Sequence, residues 1–179
     1  NTVSNKYSHE ILTEEYGAGL HKVLQSRKQD VFGILNGVDY DEWNPETDEF
    51  LPYKFSMSDM SGKMKIKHFL MVQFNLPFDE NRPLIGMVSR LVTQKGLDIF
   101  ADAVNDLMKL DAQWIILGSG EDKYETLFRS MTYQYSGRVS AYIGYNNELS
   151  HLIEAGADMF LMPSRYEPCG LNQVYSLKY

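Results

Sequence analysis

From Leu84 onward, short apolar runs alternate with segments whose apolar residues recur at helical spacing. No other feature of the sequence constrains the fold as tightly. The runs are Leu84–Val88, Trp114–Leu117, Val139–Ile143 and Met159–Met162. Between them lie Phe100, Val104, Leu107 and Met108, then Tyr124, Leu127, Phe128 and Met131, then Leu149, Leu152 and Ile153. Strands that are apolar along their whole length must be covered on both faces, and amphipathic crossovers supply that cover. The expected class is therefore α/β, a parallel sheet in Rossmann-like units. Ser58 to Phe74 reads as a preceding helix with Met60, Met64, Phe69 and Leu70 on its buried side, and Gly170 to Tyr179 as a final helix.

The first 53 residues lack that regularity. Ser4 is a suitable cap for a helix through Tyr7, Ile11 and Glu15, and Leu20, Val23 and Leu24 make a second helical stripe. Val31 to Leu35 is an apolar run suited to a buried strand. Asn36-Gly37 would mark a hairpin only if a second strand followed, but Asp41, Trp43, Asn44 and Pro45 look like turns. From Asn44 to Tyr53, two prolines and three acids with no period read as a linker.

Seventeen Lys and Arg against 24 Asp and Glu give a net charge of -7, a field that repels nucleic acid and anionic membrane. Neither is expected as a partner. The basic clusters Arg27-Lys28 and Lys63, Lys65, Lys67 read as solvated helix faces. A single cysteine, Cys169, excludes an internal disulfide and a cysteine-based zinc site, and the four histidines have no metal-ligand spacing. No metal is expected. No run reaches the length of a membrane span, and no secretory leader is visible, so an intracellular protein is expected. The chain opens on Asn1 rather than Met, as one beginning within a longer protein would.

In parallel sheets ligands bind beyond the carboxyl ends of the strands, which directs attention to four loops. In Ser89–Gly96, Arg90 and Lys95 stand before a helix start, where a positive macrodipole end disfavours cations unless an anion lies between them. A nucleotide's phosphates would be such an anion; two solvated cations are the plain alternative. Gly118-Ser119-Gly120 carries two glycines of a dinucleotide fingerprint, but Lys123 stands where the third should be. A lone Gly-x-Gly is weak evidence and a tight turn giving the helix room to pack is the preferred reading; a nicotinamide oxidoreductase inferred from these two glycines is disfavoured. Tyr145 offers a ring at a strand end where a base could stack, or packs on the rim. In Pro163–Gly170, Glu167 precedes a helix start and Gly170 permits close backbone approach. Glu167 there faces a substrate, caps the helix, or pairs with Arg165. Cys169, with no histidine near it in sequence, reads as a buried inert thiol.

Taken together, the loops resemble those of bacterial glycogen synthases and starch synthases. The resemblance rests on Gly86-Met-Val-Ser-Arg-Leu-Val-Thr-Gln-Lys-Gly-Leu-Asp98, on Gly33-Ile-Leu-Asn-Gly-Val-Asp39, and on the long block from Glu154 through Pro163-Ser-Arg-Tyr-Glu-Pro-Cys-Gly-Leu-Asn-Gln173. Thr2-Val-Ser4 and Trp43-Asn-Pro45 also fit. It implies a GT-B glycosyltransferase of two Rossmann-like domains facing across a cleft. Residues 1–53 would be the C-terminal part of the acceptor-side domain plus hinge, and 54–179 the first half of the nucleotide-sugar domain.

The implied activity is transfer of glucose from ADP-glucose to the non-reducing end of an α-1,4-glucan with retention, without a metal or other cofactor. By motif position, Arg90 and Lys95 would hold phosphate, Tyr145 would meet adenine, and Gly170 and Leu171 would give main-chain contacts to the nucleotide. Glu167 would be the active-site acid. Asn36, Gly118, Gly120 and Cys169 are candidates to face the cleft. Related retaining transferases carry a second Glu eight positions beyond the first; Tyr175 stands there, as in the starch synthase branch.

The family's Lys-x-Gly-Gly-Leu loop and its Thr-Gly-Gly-Leu stretch are absent, and two such domains need roughly 400 residues. These 179 residues alone are accordingly expected to show no glucosyl transfer. A truncated nucleotide- or glucan-binding module without catalysis is the alternative. The implied location is the cytoplasm, or the plastid stroma in a plant or alga.

Overall fold

The computed structural model describes residues 1–179. The chain resolves into two compact units, Asn1–Asp39 with Glu167–Tyr175, and Tyr40–Tyr166 with Ser176–Tyr179.

The second unit holds the sheet. Strands β1 (Leu84–Val88), β2 (Gln113–Gly118), β3 (Val139–Ile143) and β4 (Met159–Phe160) are all parallel, in the order β3-β2-β1-β4. The expected α/β class is what forms, and β1 and β3 have the bounds that the apolar runs mark. The last strand is shorter than Met159–Met162, because only Ile85 and Gly86 of β1 pair with it.

Residues of β1 and β2 alternate between two cores, as a period of two requires. Leu84, Ile115 and Leu117 face one side, under α3 (Ser61–Gln73) and α6 (Asn147–Gly156). Ile85, Met87, Trp114 and Ile116 face the other, under α4 (Leu97–Leu107) and α5 (Asp122–Gln134). A Cβ at Gly86 would lie 2.6 Å from the Ile153 side chain, so glycine there sets how closely α6 packs on β1.

Three expectations on this unit need correction. Helix α3 starts at Ser61, and its buried stripe is Gly62, Ile66, Lys67, Leu70 and Met71. Met60, Met64 and Phe69 are exposed, leaving Leu70 alone of the four expected. Nor are Lys63, Lys65 and Lys67 one solvated face. Lys67 is fully buried against Asp158, and Lys63 donates to the carbonyls of Ala155 and Tyr179. The turn-rich segment from Asn44 to Tyr53 packs on α6. Trp43 stacks on His151 with ring centroids 3.7 Å apart, and the Asp48 carboxylate meets His151 Nδ1 at 2.7 Å and the Tyr179 hydroxyl.

The first unit contains α1 (Asn5–Glu10), capped by Ser4 Oγ accepting from the Tyr7 amide, and α2 (His21–Gln25). It also holds the start of α7 (Leu171–Lys178). Val31 to Leu35 is not a buried strand. Gly33 makes a single bridge with Thr2, and Phe32, Ile34 and Leu35 stay exposed, since no further strand in this unit pairs with them. Leu20 and Val23 are exposed too, on a helix one turn long.

Candidate functional site

With this strand order the switch in winding direction falls between β1 and β4, where an open α/β sheet leaves a crevice at its carboxyl end. The loops after β1 and β4 flank it. After Val88 the chain passes the exposed Arg90, buries Leu91, makes a short 3-10 turn at Thr93–Lys95, and enters α4 through Gly96. Gly96 has φ +72, and a Cβ on it would sit 1.9 Å from the Pro163 carbonyl oxygen. Only glycine satisfies both the left-handed backbone and that approach.

The two loops are joined by polar contacts. The Gln94 carbonyl accepts from the Arg165 amide at 3.1 Å, and Gln94 Nε2 donates to the Tyr166 carbonyl at 3.2 Å. Arg165 reaches back to the first turn of α4. Its Nε and Nη2 donate to the Asp98 carboxylate, the shortest contact being 2.6 Å. That pairing, with the amide of Ile99, holds the Asp98 carboxyl below its usual range. Part of the positive end of α4 is thus answered from within the chain. Arg165 has Asp98 as its carboxylate partner, a pairing that sequence spacing did not suggest.

Arg90 and Lys95 sit on this same loop, Arg90 exposed and Lys95 half-buried. Arg90 Nη2 donates to Gln94 Oε1 at 3.3 Å. Gly118 and Gly120 serve backbone approach. Cβ atoms there would lie 2.0 Å from Ser89 O and 2.3 Å from Leu91 O, and the Gly120 amide donates to Glu125 Oε1. Both glycines are thus accounted for by the close passage of the β1 and β2 loops. The Glu121 carboxylate accepts from the Thr93 amide and pairs with Lys123, which holds that carboxyl low as well. Tyr145 follows β3, 85% exposed, its hydroxyl 3.4 Å from Asn147 Oδ1. The second unit therefore gathers Arg90, Lys95, Gly118, Gly120 and Tyr145 on the carboxyl-end loops of its sheet.

The other candidates lie in the first unit. Glu167 and Cys169 are half-buried, so Cys169 is not the buried thiol expected, and Gly170 is buried with φ +77. Ser4 Oγ donates to the Pro168 carbonyl at 2.6 Å, fastening the Glu167–Gly170 turn to the cap of α1. Leu171 opens α7, and Asn36 is exposed. No cluster of three His, Cys, Asp or Glu side chains forms a donor set for a metal. No helix is long and apolar enough to cross a membrane.

The family described as glycosyl transferases group 1 matches residues 72–177. Glycogen synthase 1 of Geobacter metallireducens is 51% identical over 179 residues, all of this chain and 36% of that protein. Starch synthase 1, chloroplastic/amyloplastic, of Arabidopsis thaliana is 48% identical over 99% of this chain and 27% of its own length. The chain thus spans roughly a third of the relatives it matches. The catalytic domain of Starch Synthase IV from Arabidopsis thaliana, bound to ADP and acarbose, superposes with a TM-score of 0.92 at 40% identity, over 99% of this chain and 37% of that one. Sucrose-phosphate synthase from Thermosynechococcus elongatus, at 16% identity and TM-score 0.56 over 98% of this chain and 37% of its own, shares the fold. These neighbours have the GT-B architecture.

Proposed function

We propose, because this chain belongs to the glycosyl transferases of group 1, that it carries part of the donor site of a glucan synthase. The reaction is transfer of glucose from ADP-glucose to the non-reducing end of an α-1,4-glucan, with the anomeric configuration retained. The observation that carries this reading is the likeness, over 99% of the chain, to a starch synthase domain held with ADP and acarbose. The crevice between the β1 and β4 loops supports it.

Cleavage of the glucose–phosphate bond leaves negative charge on departing ADP and cationic character on the sugar. Arg90 and Lys95 are assigned to the phosphates, where fixed positive charge stabilises the leaving group in the transition state. No metal is invoked for that task. Tyr145 is assigned to the adenine ring, and the main chain of Gly170 and Leu171 to the nucleotide. Glu167 supplies negative charge beside the sugar as its anomeric carbon becomes electron-poor. Asn36 is assigned to the same site by motif alone. The cytoplasm is the proposed location, with the plastid stroma its counterpart in plants, where relatives are named chloroplastic.

The test is incorporation of labelled glucose from ADP-glucose into a maltooligosaccharide by the gene product that contains this sequence. Transfer that disappears in Glu167→Ala is the expected result. A Glu167→Ala variant as active as its parent would contradict the assignment.

A further inference from the structure

Gln94 is not a conventional ligand-binding residue, yet it contacts three separate groups at once. Its Oε1 accepts from Arg90 Nη2 at 3.3 Å, its Nε2 donates to the Tyr166 carbonyl at 3.2 Å, and its own carbonyl accepts from the Arg165 amide at 3.1 Å. It sits in the 3-10 turn Thr93–Lys95, directly before Lys95. The far side of this bridge is firm, because Arg165 is clamped to Asp98 on α4 and the neighbouring Pro163 carbonyl fills the space beside Gly96. The amide side chain therefore spans the crevice between β1 and β4 from a rigid anchor.

An exposed arginine on a loop has many rotamers, and ordering it on binding an anion opposes affinity. A hydrogen bond from its guanidinium to a fixed acceptor removes much of that disorder beforehand. The kind of acceptor matters. A carboxylate at that spot would form an ion pair and compete with phosphate for the same charge. A neutral amide oxygen restrains the guanidinium and leaves its charge available.

We propose that Gln94 is the positioning residue for Arg90, holding its guanidinium ordered yet fully charged for the diphosphate of the sugar nucleotide. This rests on the nucleotide reading of the β1 loop. Calorimetric titration with ADP at low ionic strength of the gene product that contains this sequence tests it, using Arg90→Ala, Gln94→Ala, Gln94→Glu and the double variant Arg90→Ala with Gln94→Ala. One hydrogen bond's worth of preorganisation corresponds to a loss of about 3- to 10-fold in Gln94→Ala. Gln94→Glu is expected to lose more, because it traps Arg90 in an ion pair. The double variant is expected to bind no more weakly than Arg90→Ala alone, since Gln94 acts through Arg90. A merely structural role for Gln94 would instead add its full loss in the Arg90→Ala background, and that result would overturn the proposal. Unchanged ADP affinity in Gln94→Ala, with Arg90→Ala impaired, would overturn the role of Gln94 and leave the nucleotide site standing. No ADP binding by the unsubstituted gene product, or none lost in Arg90→Ala, would remove the nucleotide reading and this one with it.

Discussion

The ammonium group of Lys67 lies 2.8 Å from the Asp158 carboxylate, with the lysine side chain only 2% exposed. The same ammonium donates to the Arg82 carbonyl at 2.8 Å, and Asp158 accepts the Leu84 amide at 2.7 Å. One charge pair thus ties α3 to the start of β1 and to the turn before β4. Removing one partner of a buried pair costs about 3–5 kcal/mol, less where the other remains part-exposed, as Asp158 is at 37%. Urea unfolding is expected to show a loss of about 2–3 kcal/mol for Lys67→Ala. Lys65→Ala, on the exposed side of the same helix over the Tyr53 ring, is expected to change stability by about 0.5 kcal/mol. Equal losses would contradict the distinction.

Glu154, on the last turn of α6, is buried beside Lys63 and accepts from Ser176 Oγ at 2.6 Å. Burial outweighs both neighbours and raises its carboxyl pKa from 4.5 to about 7. The folded state then holds a proton that the unfolded state releases, so stability falls as pH rises from about 4.5 to 7 and stays lower above that. Glu154→Gln keeps an acceptor for Ser176 and needs no deprotonation. It is expected to raise the unfolding midpoint relative to wild type at pH 8 and to have little effect at pH 4.5. The same difference at both pH values would show that the carboxyl does not titrate in this window.

Asp48 behaves in the opposite sense. Burial alone would raise its carboxyl, but the hydrogen bonds from His151, Tyr179 and the Phe50 amide bring it below its usual range. Its stabilising contribution is present above the ordinary carboxylate range and is lost as pH falls through the lowered value. Asp48→Ala, which removes the buried carboxylate shared by His151 and the Tyr179 hydroxyl, is expected to cost about 3 kcal/mol at pH 7 and less at pH 3. A loss independent of pH would point to packing alone.

Gly96→Ala combines a left-handed backbone with a Cβ placed 1.9 Å from Pro163 O. The β1 and β4 loops must separate to admit it. The expected outcome is a stability loss of about 2 kcal/mol or more together with weakened ADP binding. Gly37→Ala, with nothing within 4 Å of its Cβ, is expected to alter neither.

The parallel sheet was legible because β1 and the Trp114–Leu117 core of β2 are apolar throughout, β3 is largely so, and the helices between them carry buried residues such as Phe100, Phe128, Leu152 and Ile153 at helical spacing. The buried stripe of α3 is not legible in hydropathy, since it contains a lysine. Hydropathy assigns Lys67 to water, and only the tertiary partner Asp158 makes its burial tolerable. Val31 to Leu35 misled in the reverse direction, because apolarity shows what a segment is suited to and not whether a neighbour is at hand. The candidate cations were legible as sequence neighbours of a helix start. Their bracing was not, since Gln94 to Tyr166 and Asp98 to Arg165 are contacts across the crevice, 72 and 67 residues apart in sequence. The His151–Asp48–Tyr179 cluster was likewise invisible, its members being separated by 103 and 131 residues.

The central claim is that the loop carrying Arg90 and Lys95 receives the diphosphate of an adenine sugar nucleotide. It is tested most directly by calorimetric titration of the gene product that contains this sequence with ADP and, separately, with NAD. The account predicts saturable ADP binding, weaker or absent NAD binding, and a loss of ADP affinity of at least about tenfold in Arg90→Ala. Equal affinity for the two ligands, or an Arg90→Ala variant that binds ADP as tightly as its parent, would contradict it.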